Sequence, residues 1–157
     1  MTTVLSKAQP GTAVTVKKTF SRTTSITQTI HADPSIIWAL LTNASDYARW
    51  NSTIVSIEGA IQPGEKIKLK STLDPNRTFK LRVKQMVSEQ KLVWGDAMGQ
   101  RTYTLEKNGN ATLFTMTERI GGLMFPLFAN KIPSFDASFE QFTADLKKEA
   151  EIIAQSK

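Results

Sequence analysis

From Thr53 to Ile120 apolar and polar residues alternate with period two, and turn-forming residues interrupt the alternation every ten or so positions. This pattern predicts an antiparallel meander, and its turns predict a register. A loop at Asp74-Pro75-Asn76 pairs Leu73 with Arg77 and sets Leu69 against Leu81. A turn at Ser88-Glu89 sets Val83 against Trp94, and one at Ala97-Met98 pairs Leu92 with Tyr103 and Trp94 with Arg101. A turn at Asn108-Gly109 pairs Tyr103 with Phe114 and Arg101 with Met116. Assigned separately, these turns keep Leu69, Leu81, Val83, Trp94, Tyr103 and Met116 on one face.

The flanks read differently. Val16 to Ile30 is rich in Thr, Val and Ile, as a long strand requires, and Asp33-Pro34 supplies a cap and a first helical residue for a short helix through Leu41. Asn43 starts a second brief helix ending near Ala48. After Gly121-Gly122 the run Leu123-Met-Phe-Pro-Leu-Phe128 is too apolar for a free loop and is expected to cover something. Phe135, Phe139, Phe142, Leu146 and Ile153 recur at helical spacing, which predicts a helix from about Pro133 to Ala154 with an aromatic stripe. The expected fold is α+β: a curved seven-stranded antiparallel sheet gripping a long C-terminal helix, with two short helices after the first strand. Residues 1–13 are expected to be a flexible tail and 14–157 a single domain.

Composition narrows the chemistry. With 40% hydrophobic and 22% charged residues the chain has an ordinary globular balance. It has no cysteine and one histidine, which excludes disulfides, thiolate chemistry and a His/Cys zinc site. No dinucleotide, nucleotide or serine-hydrolase motif occurs, so no cofactor or metal is indicated. Neither a secretory leader nor a membrane-spanning run is visible, and the expected location is cytoplasmic. The net charge of +6 is read as surface, with no nucleic-acid partner expected. On the outer face the register sets Lys70 against Lys80, Lys68 against Arg82 and Lys66 against Lys84, a ladder suited to weak contact with an anionic membrane or an acidic protein.

Polar residues on the inner face are the informative ones, because apolar ones only report a core. Asp96, Arg101 and Glu118 share that face near one end of three adjacent strands. One reading is an anchor in which Arg101, oriented by Glu118 and Asp96, binds an oxygen of an otherwise apolar ligand; the other is an internally satisfied ion-pair network. Catalysis by the pair Asp96 and Glu118 would need one carboxylic acid held protonated, and an intervening cation opposes that. The rest of the candidate pocket is Trp94, Tyr103, Met116, Leu69 and Leu81 from the sheet, Phe125 and Phe128 from the cover, and Phe135, Phe139 and Phe142 from the helix.

The segment Ile30-His-Ala-Asp-Pro-Ser-Ile-Ile-Trp38, then Asp46-Tyr-Ala-Arg-Trp-Asn51, Leu92-Val-Trp94, Gly99-Gln-Arg-Thr-Tyr-Thr-Leu105 and Thr112-Leu-Phe-Thr-Met-Thr-Glu-Arg-Ile-Gly121, resembles the SRPBCC (START-like, Bet v 1-like) superfamily, in particular its polyketide cyclase/dehydrase and lipid transport group. The resemblance spans about residues 16–154 and implies a helix-grip fold with an internal cavity. Members range from carriers of lipids, polyketide-like or aromatic molecules to cyclases and dehydratases, and one branch resembles Hsp90 activators. Where relatives tend to carry a histidine this chain has Arg101, which puts histidine-dependent chemistry in doubt. The function expected is binding or carriage of a hydrophobic or amphipathic small molecule; the alternatives are a cyclase/dehydratase-type enzyme and a protein-interaction module.

Overall fold

The computed structural model describes residues 9–157. One antiparallel sheet of eight strands runs in the order β1-β2-β8-β7-β6-β5-β4-β3. The strands are β1 (Val14–Lys17), β2 (Ser21–Ile30), β3 (Ile54–Glu58), β4 (Lys66–Ser71), β5 (Asp74–Val87), β6 (Lys91–Gly95), β7 (Gly99–Asn108) and β8 (Ala111–Gly121). The single first strand expected from Val16 is thus two, because a turn in which the Lys18 amide bonds the Ser21 carbonyl folds β1 back along β2. Phe20 falls in that turn and is exposed. The called tail, 1–13, lies outside the described residues up to residue 8.

Between β2 and β3 lie helix α1 (Pro34–Thr42), a short 3-10 turn (Ala44–Asp46) and α2 (Tyr47–Trp50). Asp33 starts α1 by accepting from the Ser35 amide at 3.0 Å. The Tyr47 hydroxyl donates to the Leu41 carbonyl at 2.7 Å, tying the two helices together inside the core. Between β8 and the last helix come α3 (Phe125–Phe128) and a 3-10 turn (Ala129–Lys131), and α4 (Asp136–Gln155) then closes the chain. Phe139, Phe142, Leu146 and Ala150, three or four residues apart, form the buried stripe that α4 lays on the sheet. Buried Asn51 fixes the far side of that contact: its Nδ2 donates to the Phe142 carbonyl at 3.2 Å and its Oδ1 accepts from the Thr53 amide and hydroxyl.

The inward parity of the apolar residues is as the alternation predicts, but Asp96 faces solvent and three registers differ in detail. Only the β6–β7 turn matches throughout, with Leu92 opposite Tyr103 and Trp94 opposite Arg101. In the β7–β8 hairpin the two loop residues are Gly109-Asn110, with Gly109 at φ 62°, so Arg101 faces Glu118 and Tyr103 faces Met116. Glycine at the first loop position is what a type II′ turn requires. At β5–β6 the loop has three residues, Ser88–Gln90 with Glu89 at φ 61°, and a bulge between Val83 and Gln85 restores the Val83–Trp94 pair.

At β4–β5 the chain turns at Thr72-Leu73, so Leu69 faces Phe79 and Ile67 faces Leu81. Asp74-Pro75-Asn76 therefore lies inside β5 and not in a loop. Proline is tolerated there because the start of β5 runs past the end of β6, whose last partner is Arg82, and needs no amide on that side. The same shift moves the outer ladder. Lys68 faces Lys80, Lys66 faces Arg82, and Lys70 lies opposite Ser56. Glu58 stands opposite Lys68 on the other side, so the ladder is not purely cationic.

Candidate binding cavity

Between the sheet and the first half of α4 lies a cavity of about 230 Å³. Its floor is the inner face of β4 to β8, with Leu69, Phe79, Leu81, Trp94, Arg101 and Ile120. Ser138 and Phe142 of α4, with Ile132, Pro133 and Phe135 before it, form the roof. The mouth lies between the β4–β5 hairpin, where Leu73 and Asp74 are exposed, the β6–β7 turn at Asp96 to Met98, and exposed Lys131.

One end of the lining is charged. Arg101 points inward under α4, its guanidinium 5.1 Å from the centre of the Phe139 ring, and its Nη2 donates to Glu118 Oε2 at 3.1 Å. Both side chains are largely buried, at 15% and 19% exposure. Burial works against the charge on Arg101, but Glu118 and the Tyr103 phenol together outweigh it and the guanidinium is held protonated more firmly than usual. Its Nε and the buried Tyr103 hydroxyl each lack a partner of hydrogen-bond geometry, although the phenol and the guanidinium lie close enough to favour each other's charged form. Burial pushes the Tyr103 phenol above its ordinary range, with the nearby guanidinium opposing.

A second arginine, overlooked in the sequence, lies behind the roof and outside the lining. Arg22 on β2 is buried, donates to the Ile132 and Pro133 carbonyls at 3.2 and 2.8 Å, and lies 4.7 Å from the centre of the Phe135 ring. Burial lowers its pKa, offset in part by Glu118 and Asp136. Arg22 thereby fastens the segment that roofs the cavity to the sheet. Its signal was present, since it shares inward parity with Ile26 and Ile30.

The structure divides the predicted site. Trp94, Arg101, Glu118, Leu69, Leu81, Phe135 and Phe142 line the cavity together, and Asp96 borders it. Asp96 does not orient Arg101: it is exposed, and its Oδ1 accepts the Met98 and Gly99 amides at 2.8 Å each, so it caps the β6–β7 turn. Tyr103, Met116 and Phe139 are buried but lie outside the lining. Tyr103 is packed between Phe114 and Phe142, with ring centres 6.1 and 5.8 Å away, and Trp94 meets it edge-on at 5.2 Å, so aromatic rings fill the middle of the sheet. Phe125 and Phe128 pack against each other, away from the cavity. The paired-carboxylate arrangement is not formed, because Glu118 is bound to Arg101 and Asp96 to its turn. His31 is exposed, and its backbone amide bonds Glu151. Among the described residues no group of three or more His, Cys, Asp or Glu is placed to hold a metal, and no helix is long and apolar enough to cross a membrane.

A curved antiparallel sheet closed over one long helix, with a partly charged cavity between them, defines a helix-grip protein. Residues 21–151 match the family described as polyketide cyclase / dehydrase and lipid transport, and the chain belongs to that family. Comparison with curated proteins gives no match. Among solved structures, a START superfamily protein from Mycobacterium smegmatis is similar at 15% identity and a TM-score of 0.60, covering 83% of this chain and 98% of that one. Protein MLL2253 from Mesorhizobium loti is 18% identical, with a TM-score of 0.63 over 81% of this chain and 95% of its own. The Aha1 dimer from Colwellia psychrerythraea is 20% identical, with a TM-score of 0.62 over 82% and 95%. At these identities the likeness is one of fold.

Proposed function

We propose that this protein binds and carries a small amphipathic molecule whose apolar body fills the cavity and whose oxygen-bearing end meets Arg101. The observation that carries the reading is the Arg101 Nε–H, buried without a protein acceptor at the charged end of an otherwise mostly apolar lining. A donor left unpaired in such a place costs about 1–3 kcal/mol, and a carboxylate, phenolate or carbonyl oxygen would offset that. The volume bears on size. A cavity of about 150 Å³ holds benzene, so about 230 Å³ suits a ligand of roughly two rings, while a long acyl chain would protrude through the mouth.

Carriage is preferred over catalysis because Glu118 is paired with Arg101 and Asp96 caps its own turn, so the two carboxylates do not converge on the cavity as an acid–base pair. It is preferred over a purely protein-binding role because the space under α4 is not filled. The test is calorimetric titration with a naphthoate and with methylnaphthalene, preceded by native mass spectrometry of freshly purified protein for a bound molecule. Arg101→Met should weaken the naphthoate by about 1.5–3 kcal/mol and leave methylnaphthalene almost unchanged. Equal losses for both would reduce Arg101 to scaffold and remove the anchor.

A further inference from the structure

Exposed apolar side chains are ordinary when scattered, but here they gather at one end. Phe20, Met98, Leu123, Met124 and Leu127 are 52%, 43%, 87%, 62% and 72% exposed. Hydrogen bonds hold the turns that carry them side by side: the Gly121 amide bonds the Met98 carbonyl, the Gly122 amide bonds the Phe20 carbonyl, and the Phe125 amide bonds the Gly122 carbonyl. Gly121 permits this closeness, since a Cβ there would lie 2.6 Å from the Phe20 carbonyl oxygen. Met98 and Lys131 also border the cavity, so the apolar patch adjoins the mouth.

The charges around the patch have one sign to offer. Lys17, Lys18, Arg119 and Lys131 are exposed on the segments that frame it, and the chain carries no carboxylate from Arg119 to Phe135. The acids nearby are engaged, Asp96 with the Met98 and Gly99 amides, Glu118 with Arg101 and Asp136 with the Thr15 hydroxyl. Lys84 reaches the Asp96 carbonyl at 3.4 Å, which places one more cation beside the same turn. A second copy of the chain placed face to face on this patch would bring like charges together. An anionic bilayer accepts both features, because apolar side chains enter the headgroup boundary while lysines and arginines meet the phosphates.

We infer that this end of the molecule docks on anionic lipid bilayers, with Leu123 and Leu127 inserted and the cavity mouth held at the membrane surface. Docking exceeds the carrier reading and is measured without any ligand, so each stands or falls alone. The experiment is co-sedimentation of the full chain with vesicles of phosphatidylcholine and phosphatidylglycerol in equal amounts, and with phosphatidylcholine alone. Binding to the mixed vesicles should fall as salt is raised and be weak on the neutral ones. Leu123→Asp with Leu127→Asp should weaken it at least about tenfold, and Lys18→Glu with Arg119→Glu should do the same. Both variants alter only exposed side chains, and an unchanged thermal midpoint checks their fold. No binding to either vesicle, or binding unaffected by both variants, overturns the inference. Loss of a dimer in the leucine variant without loss of vesicle binding assigns the patch to a second copy instead.

Discussion

Arg101 and Glu118 face each other across β7 and β8 and share one hydrogen bond of 3.1 Å, yet the pair leaves the arginine Nε–H unused. An ion pair this deep is sensitive to removal of one partner, because the other charge is then left buried alone. Glu118→Gln should lower stability by about 1–3 kcal/mol in urea unfolding, less than for a fully buried pair since both side chains keep some solvent contact. A loss within about 0.5 kcal/mol, the scatter of surface substitutions, would mean that solvent screens the pair.

The approach of α4 to the β2 end rests partly on Glu151, which accepts from Lys147 Nζ at 2.6 Å and from the His31 amide at 3.0 Å. Burial raises its pKa but these donors lower it further, so the net shift is downward. A depressed folded-state pKa gives stability that is present above the ordinary glutamate value and lost as pH falls through the folded one. Glu151→Gln should therefore be less stable than the parent near neutral pH, and the gap should close as pH falls below the ordinary glutamate range and through the folded-state pKa. Urea midpoints measured across that range give the answer, and a gap independent of pH would assign the effect to packing.

Much of the fold was legible because side-chain direction in a strand has period two. The register errors at β4–β5 and β7–β8 were each of two residues, so the apolar inward residues stayed inward, while Asp96 faces solvent and caps its turn. The same errors moved contacts: Glu118 is opposite Arg101 and not diagonal to it, and Lys68 meets Lys80 and not Arg82. A one-residue displacement of the loop to Gly109-Asn110 is enough for that, and both Asn-Gly and Gly-Asn are good turn sequences. The position of the cavity was not legible, since it depends on how far Tyr103, Phe114 and Phe142 fill the middle of the sheet. Periodicity reports which residues face inward, not which of them touch.

Two glycines separate backbone crowding from backbone conformation. A Cβ on Gly95 would lie 2.3 Å from the Gly99 carbonyl oxygen across the β6–β7 turn, and backbone cannot yield as a side-chain tip can. At Gly109 a Cβ meets open space, and the only penalty is the left-handed φ of 62°. Gly109→Ala should cost about 1–2 kcal/mol. Gly95→Ala should cost more, about 2–4 kcal/mol, and should disturb the Asp96 cap beside the mouth. Equal thermal shifts for the two would show that the β6–β7 turn relaxes around the added methyl.

Tyr103 offers the sharpest separation of scaffold from site. Its ring is held by Trp94, Phe114 and Phe142, so Tyr103→Phe keeps every aromatic contact and deletes only the buried, unpaired hydroxyl. Removing an unsatisfied buried polar atom should leave stability unchanged or raise it by up to about 1 kcal/mol. If the hydroxyl instead helps Arg101 hold a ligand oxygen, the variant should lose naphthoate affinity by about 0.5–1.5 kcal/mol while its unfolding midpoint does not fall. Calorimetry and urea unfolding on the same preparation distinguish the cases. A fall in stability of more than about 1 kcal/mol would mean that the phenol and the guanidinium bond each other in solution, and the free donor on which the anchor rests would then already be satisfied.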